Sequence, residues 1–255
     1  MAVDEAILEA AGRSEVLPTL RLYAWEPACL SLGYAQTIGD VDQDALALHG
    51  WDLVRRPTGG RAILHTDELT YSVIGPQSEP RLAGSVLESY RILAQALLRA
   101  LHSLDIPAEA LAKVAPLSGS DPKGPVCFEV PSNYEITIQG KKLIGSAQAR
   151  RFGGVLQHGS LPLVGDLRRI TLALAFSDEA GRSEAARRLL DRATTAEQIL
   201  GASLRWEQAA EAVATAFCEA LNLELQPLDL TPGEQARAAE LVREKYAHPS
   251  WTERV

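Results

Sequence analysis

A chain of 255 residues with 46% apolar and 23% charged residues can bury a sizeable core and is too apolar for general disorder. Its formal charge of −8 speaks against sequence-independent nucleic-acid binding, which needs a basic surface. No run of eighteen apolar residues suggests a membrane span, the start Met1-Ala2-Val3-Asp4-Glu5 is acidic, and three cysteines without paired spacing argue against a disulfide framework or a CxxC metal site, so the chain reads as cytosolic, with no membrane role and room for one reactive thiol.

In chain order, Met1 to Ala11 reads as a helix with Val3 and Ile7 on one face. Leu17 to Trp25 alternates like a strand until Pro27 ends it, and Cys29 to Gly33 is a second strand. A short helix over Asp40 to Leu48 precedes strand Leu53-Val54-Arg55, a turn at Gly59-Gly60 and the strands Ala62 to His65 and Leu69 to Ile74, the last broken by Gly75-Pro76. Val86, Tyr90, Leu93, Ala94, Leu97, Leu98 and Leu101 recur at helical spacing, which predicts a helix packing that stripe on the sheet. A loop rich in Pro, Gly and Ser over about 115–125 leads to Cys127; long loops inside compact domains are more often functional than idle. Tyr134, Ile136 and Ile138 alternate into a Gln139-Gly140 turn whose return strand is Lys142-Leu143-Ile144, and Val155 to Leu163 is another strand. From about Leu167 the pattern is helical to the end, with Thr231-Pro232-Gly233-Glu234 supplying a capping threonine, a proline at the first helical position and a glutamate at the third. One domain over 1–255, with a helical C-terminal extension, accounts for this order.

Three groups of residues carry chemistry. Gly59-Gly60 permits close approach of backbone to a ligand, because glycine has no Cβ, and it is flanked by Arg55-Arg56 on one side and by Arg61 and His65 on the other. Lys141 and Lys142 are adjacent on a strand edge, so only one of them can point into a pocket. An ammonium there can stabilise oxyanion charge and hold a nearby thiol as thiolate. Cys218 lies in an apolar helix and Cys29 in a strand, both expected to pack, whereas Cys127 follows the long loop and precedes the lysine hairpin. Neither His65 nor His158, in Gln157-His158-Gly159, has a metal-ligand spacing; each is read as lining a site, His65 with a possible proton-transfer role. A Gly-x-Ser-x-Gly elbow, a P-loop and a dinucleotide fingerprint are missing.

The stretch Arg55 to His65, the later Lys142-Leu143-Ile144-Gly145-Ser146-Ala147, and His158-Gly159 together resemble the family of lipoate-protein ligases, octanoyltransferases and biotin-protein ligases. The likeness is nearest to the octanoyltransferase branch of Gram-positive-type bacteria, which also carries a cysteine just ahead of the lysine hairpin, as Pro125-Val126-Cys127-Phe128 does here. It runs from Met1-Ala2-Val3-Asp4-Glu5-Ala6 to Trp251. The resemblance implies an α/β (α+β) fold with a mixed, largely antiparallel sheet flanked by helices, of the lipoate/biotin-protein ligase catalytic-domain type. It implies Cys127 and Lys142 as catalytic residues, Lys142 rather than Lys141 by register. Arg55, Gly59, Gly60, Arg61, His65, Gly145, Ser146, Ala147, His158 and Gly159 become substrate-binding residues. The implied reaction moves an octanoyl group from acyl carrier protein, through a cysteine thioester, to a lysine of a lipoyl domain such as a glycine-cleavage H protein or a 2-oxoacid dehydrogenase E2 subunit. It involves no cofactor, neither metal nor ATP, and a monomer is expected.

In the ATP-dependent ligases of that family the glycine turn has a third glycine where this chain has Arg61, a departure that disfavours the ligase reading. Two further alternatives are an amidotransferase between octanoylated proteins and a non-catalytic lipoyl-domain-binding or acyl-sensing protein, the latter requiring Cys127 and Lys142 to be incidental.

Overall fold

The computed structural model describes residues 1–111 and 135–255. The expected features at 112–134, Cys127 and Tyr134 among them, lie outside the described residues.

The chain opens with helix α1 (Ala2–Gly12) and then lays down β1 (Thr19–Tyr23), β2 (Cys29–Leu32), α2 (Gln43–His49), β3 (Asp52–Arg55), β4 (Ile63–His65) and β5 (Glu68–Pro76). Helix α3 (Val86–Ser103) follows, then β6 (Glu109–Leu111), β7 (Glu135–Ile138), β8 (Lys141–Arg151) and β9 (Gly154–Pro162). After a 3₁₀ stretch at Leu167–Leu172 come α4 (Glu179–Arg192), α5 (Ala196–Leu200), α6 (Trp206–Leu221), α7 (Pro232–Leu241) and α8 (Pro249–Thr252).

Two sheets result. The larger is antiparallel throughout, in the order β1-β5-β9-β8-β7-β6; the smaller, β3-β2-β4, pairs β2 with β3 in parallel and with β4 antiparallel. The expectation of a mixed, largely antiparallel arrangement therefore describes the two sheets together, the parallel pair being β2 with β3. Every residue of β9 is buried, because this strand has neighbours on both sides and is covered on both faces, which erases the alternation of a half-exposed strand. On one face α3 and α6 close the main core around Leu93, Leu97, Leu101, Val213 and Phe217. On the other, α1 packs Ile7, Leu8 and Ala11 against Ile74 and Leu156.

Local signals explain the boundaries. Ser85 and Glu88 form a reciprocal capping box at α3, and Thr231 with Glu234 repeats it at α7. The α3 stripe is shifted from the sequence reading: Ser89, Ala96 and Ala100 are buried, whereas Val86 at the first turn is 49% exposed. Gln139 and Gly140 both take positive φ, the mirror-image turn that joins β7 to β8 tightly.

Two expectations need correction. Strand β5 is not broken at Gly75-Pro76, since Gly75 pairs with Val155 and Pro76 with Gly154; proline is tolerated there because it is the terminal rung and has no N–H to place. The C-terminal region is not continuously helical, for residues 223–231 have no regular structure.

Candidate active site

The two sheets face one another across a cavity of about 450 Å³, within the range of small-molecule sites. One wall belongs to the small sheet and its turn: Ser31, Arg56, Gly59, Gly60, Arg61 and His65. The opposite wall belongs to the large sheet, with Lys142, Gly145, Ser146 and Ala147 from β8 and His158, Gly159 and Ser160 from β9. Ten of the residues singled out from sequence thus share one cavity. Met1, Trp25, Ala35, Gln36, Ile63 and Thr70 complete it and were not singled out.

Arg55 is the exception. Its side chain is fully buried away from the cavity lining and is spent on backbone carbonyls, Nη1 donating to Gly33 O at 2.8 Å and Nη2 to Thr252 O at 2.7 Å. Burial, with Arg254 nearby, depresses its pKa. The neighbouring Arg56 takes the place expected of it, donating to Gly59 O at 3.0 Å, Arg61 O at 2.6 Å and Ser31 O at 3.0 Å, and so fixes the glycine turn. The alternation of strand side chains that separates Lys141 from Lys142 also separates these two arginines, and this was the available signal.

The turn depends on glycine at two points. Gly60 has φ +94°, a conformation that side chains resist, and its carbonyl would stand 1.8 Å from any Cβ placed on Gly33. The Gly33–Gln36 and Thr58–Arg61 segments are held together by the Tyr34 N–H to Thr58 O hydrogen bond of 2.9 Å.

Lys142 points into the interior and is 5% exposed, with Nζ 2.7 Å from Oε1 of the equally buried Glu135. Lys141 is turned aside to donate to Leu190 O at 2.6 Å. Between the pairs Thr137–Lys142 and Ile136–Ile144 the ladder shifts register at a β-bulge, a device that re-aims a side chain next to a site. Glu135 was not singled out from sequence; its place on the strand facing Lys142 was the only clue.

His65 is fixed at both nitrogens. Nε2 is 2.7 Å from Ser31 Oγ, and Nδ1 contacts Glu68, which also accepts from Thr70 and Ser160. Although burial alone would raise its pKa, the adjacent His65 and these hydrogen bonds hold the Glu68 carboxyl below its ordinary range. An ionised carboxylate only accepts, so the Nδ1–H of His65 donates to Glu68. Trp25 stacks on the imidazole at 4.3 Å and 17°, which makes His65 a rigid part of the wall.

His158 Nε2 lies 2.7 Å from Thr58 Oγ1. Burial, aided by Arg56 and opposed by Asp4, pushes the His158 pKa down to about 3, so this imidazole is neutral at physiological pH and serves as a polar strut. Gly159 leaves room for the Tyr71 ring and for Ser146, whose Oγ is 2.7 Å from Tyr71 Oη.

Two cysteines, Cys29 and Cys218, lie among the described residues, and both are free. Cys29 is buried and its pKa is pushed up to about 12 by that burial. Cys218, expected to be buried, is only partly so.

Residues 1–218 match the family model of the lipoyl protein ligase A/B catalytic domain. Among curated proteins, the chain is 42% identical over 262 residues to "Octanoyltransferase LipM" of Kyrpidia tusciae, covering 100% of this chain and 93% of that one. It is 37% identical to the protein of the same name from Staphylococcus aureus, covering 98% and 92%. Among solved structures, a bi-partite lipoate protein ligase from Thermoplasma acidophilum superposes with a TM-score of 0.77 at 25% identity, covering 99% of this chain and 91% of that chain. A lipoate-protein ligase A bound with ATP gives the same TM-score and identity, covering 99% and 92%.

Proposed function

The chain belongs to the lipoyl protein ligase A/B catalytic-domain family, and from that premise we propose that it is an octanoyltransferase of lipoate biosynthesis, taking octanoyl groups from acyl carrier protein to lysines of lipoyl domains. The observation that carries this reading is the identity of 37–42% along essentially the whole chain with octanoyltransferases. The cavity supports it: a slot walled by glycines, Ala147, Ile63 and Trp25 suits an unbranched acyl chain. Burying about seven methylene-type groups at roughly 0.8 kcal/mol each contributes on the order of 5 kcal/mol.

In this proposal the Cys127 thiolate adds to the thioester carbonyl, and the carrier's pantetheine thiolate leaves and takes up a proton. The Lys142 ammonium stands where oxyanion charge develops. The ε-amine of the acceptor lysine then adds to the Cys127 thioester, the cysteine sulfur leaves, and the proton lost by the amine returns to it. Exchange between thioesters is nearly isoenergetic and the amide is stable, so the second step drives the sequence. The enzyme works as a cytoplasmic monomer in this reading.

Incubation with octanoyl-carrier protein, without acceptor, is expected to add one octanoyl group to the intact mass, on Cys127 by peptide mapping and released by neutral hydroxylamine or by a lipoyl domain. An adduct on Cys29 or Cys218, or full transfer by Cys127→Ala, would overturn the assigned nucleophile. The ligase alternative is disfavoured by Arg61, which lines the cavity where the ligases carry a third glycine. Formation of lipoyl-adenylate from lipoate and Mg-ATP by the unaltered protein would reverse that judgement.

A further inference from the structure

Joining an amine to a thioester moves a proton off nitrogen. A tetrahedral adduct whose nitrogen keeps both protons can expel the amine as readily as the thiolate, so a well-placed base decides how often addition ends in an amide. Among the described residues that line the cavity, the side chains of Lys142, His158 and His65 carry a nitrogen of that kind. Lys142 is the cationic partner of buried Glu135, 2.7 Å away, and an ammonium has no lone pair to offer. His158, its pKa pushed down to about 3 by burial, is a weak base whose Nε2 is already held by Thr58 Oγ1.

His65 differs in both respects. Its Nδ1–H is held by Glu68, a carboxylate that stabilises positive charge on the ring, and its Nε2 meets Ser31 Oγ at 2.7 Å. Because Cys29 pairs with His65 and Ser31 with Ile63, Ser31 and His65 are diagonal neighbours on one face of the small sheet. Both line the cavity. A ring with one proton, on Nδ1, accepts from the hydroxyl at Nε2, and a ring with two donates to it, so this single contact serves transfer in either direction. The Ser31 oxygen has two lone pairs; one receives Nη1 of Arg56 at 3.2 Å, which leaves the other for a donor inside the slot. That guanidinium also offsets negative charge on the oxygen while a proton moves through it. Glu68 accepts in turn from Thr70 and Ser160, and Trp25 stacks on the imidazole, so carboxylate and ring are held in one orientation.

We propose, on the reading of the reaction as transfer from a thioester to a lysine amine, that Ser31 and His65 form a proton relay for the amide-forming step, with Glu68 as its positioning residue. As the acceptor nitrogen adds to the carbonyl and the C–N bond forms, its proton passes to Ser31 Oγ and the Ser31 proton passes to His65 Nε2. The C–S bond then breaks, and the imidazolium returns its proton through Ser31 to the departing thiolate, which restores the relay. The acylation half-reaction exchanges one thiolate for another and has no nitrogen proton to move. The signature of the relay is therefore confined to the second half.

The experiment measures the two halves separately in the wild type, His65→Gln, Ser31→Ala and Glu68→Gln. The first is acylation of the enzyme by octanoyl-carrier protein; the second is clearance of the pre-formed thioester by a lipoyl domain or by neutral hydroxylamine, which cleaves thioesters without a base. Clearance by the lipoyl domain should slow about 10²-fold in His65→Gln and Ser31→Ala, and less in Glu68→Gln. Acylation should slow far less than that, and hydroxylamine should clear all four proteins alike. Ser31→Ala removes a single oxygen, which keeps the test open should His65→Gln fail to fold. Equal slowing of both halves, or slower clearance by hydroxylamine, would assign these residues to the shape of the slot and overturn the relay, as would unchanged clearance by the lipoyl domain in Ser31→Ala. An octanoyl ester on Ser31, stable to neutral hydroxylamine, would make the hydroxyl a nucleophile and likewise overturn it. If the wild type forms no thioester with octanoyl-carrier protein, the transfer reading itself has failed, an outcome distinct from all of these.

Discussion

Lys142 has two duties that mutation will not separate cleanly. As an oxyanion donor, its loss in Lys142→Ala is expected to lower transfer by about 10²–10³-fold. As the cation beside buried Glu135, its loss should also destabilise the fold, on the order of 3–5 kcal/mol for breaking a buried pair. Steady-state transfer assays alongside urea unfolding would show both losses, while Lys141→Ala should leave transfer nearly intact. The lysine was legible from its register before Gly145-Ser146-Ala147; its glutamate was not, because no local pattern announces which acid will face it across a bulged hairpin. His158 gives a second residue-scale prediction. Its folded pKa of about 3 lies below the unfolded value of about 6.5, so as pH falls through that window only the unfolded chain gains the proton. Stability should decline toward acid by up to about 1.4 kcal/mol per pH unit, and His158→Gln should flatten that part of a plot of urea midpoint against pH.

At the scale of elements, the cavity exists because a turn from the small sheet reaches across to two strands of the large one. Gly60→Val forces a branched side chain into φ +94° and should abolish octanoate binding by calorimetry while leaving the far-UV circular-dichroism spectrum near normal. Gly33→Ala should do the same by another route, since its Cβ would collide with Gly60 O and part the two segments. The glycine pair was legible in sequence, but its partner Gly33 was not, for it borders a different strand. The helices and strands were legible wherever hydrophobic period or capping chemistry was strong, as at Ser85 to Glu88 and Thr231 to Glu234. Reading failed at Gly75-Pro76 because tertiary pairing with β9 overrides a local breaker at the end of a strand. Arg55 stands apart from the cavity lining because its guanidinium is taken up by the carbonyls of Gly33, Tyr34 and Gln36 and by those of Trp251 and Thr252, almost two hundred positions away.

For the whole molecule that same distance matters. Arg55 donates to the carbonyls of Trp251 and Thr252, and the Trp251 indole N–H returns a 2.9 Å hydrogen bond to Arg55 O. The C-terminal helix thereby holds the strand that leads into the glycine turn. Trp251→Ala should lower the urea midpoint by removing this hydrogen bond and the ring contacts to Tyr34 and Tyr246. It should raise KM for octanoyl donors more than it lowers kcat, since the wall of the slot is loosened and Lys142 is untouched.

This fastening also has a place in time. During synthesis, strand β3 emerges long before its acceptors do: 196 residues separate Arg55 from Trp251. At about 5–20 residues per second that interval is roughly 10–40 s. For that period the guanidinium lacks the carbonyls of Trp251 and Thr252, so the fastening of β3 to the C-terminal helix is completed only after the chain's last residues have been made.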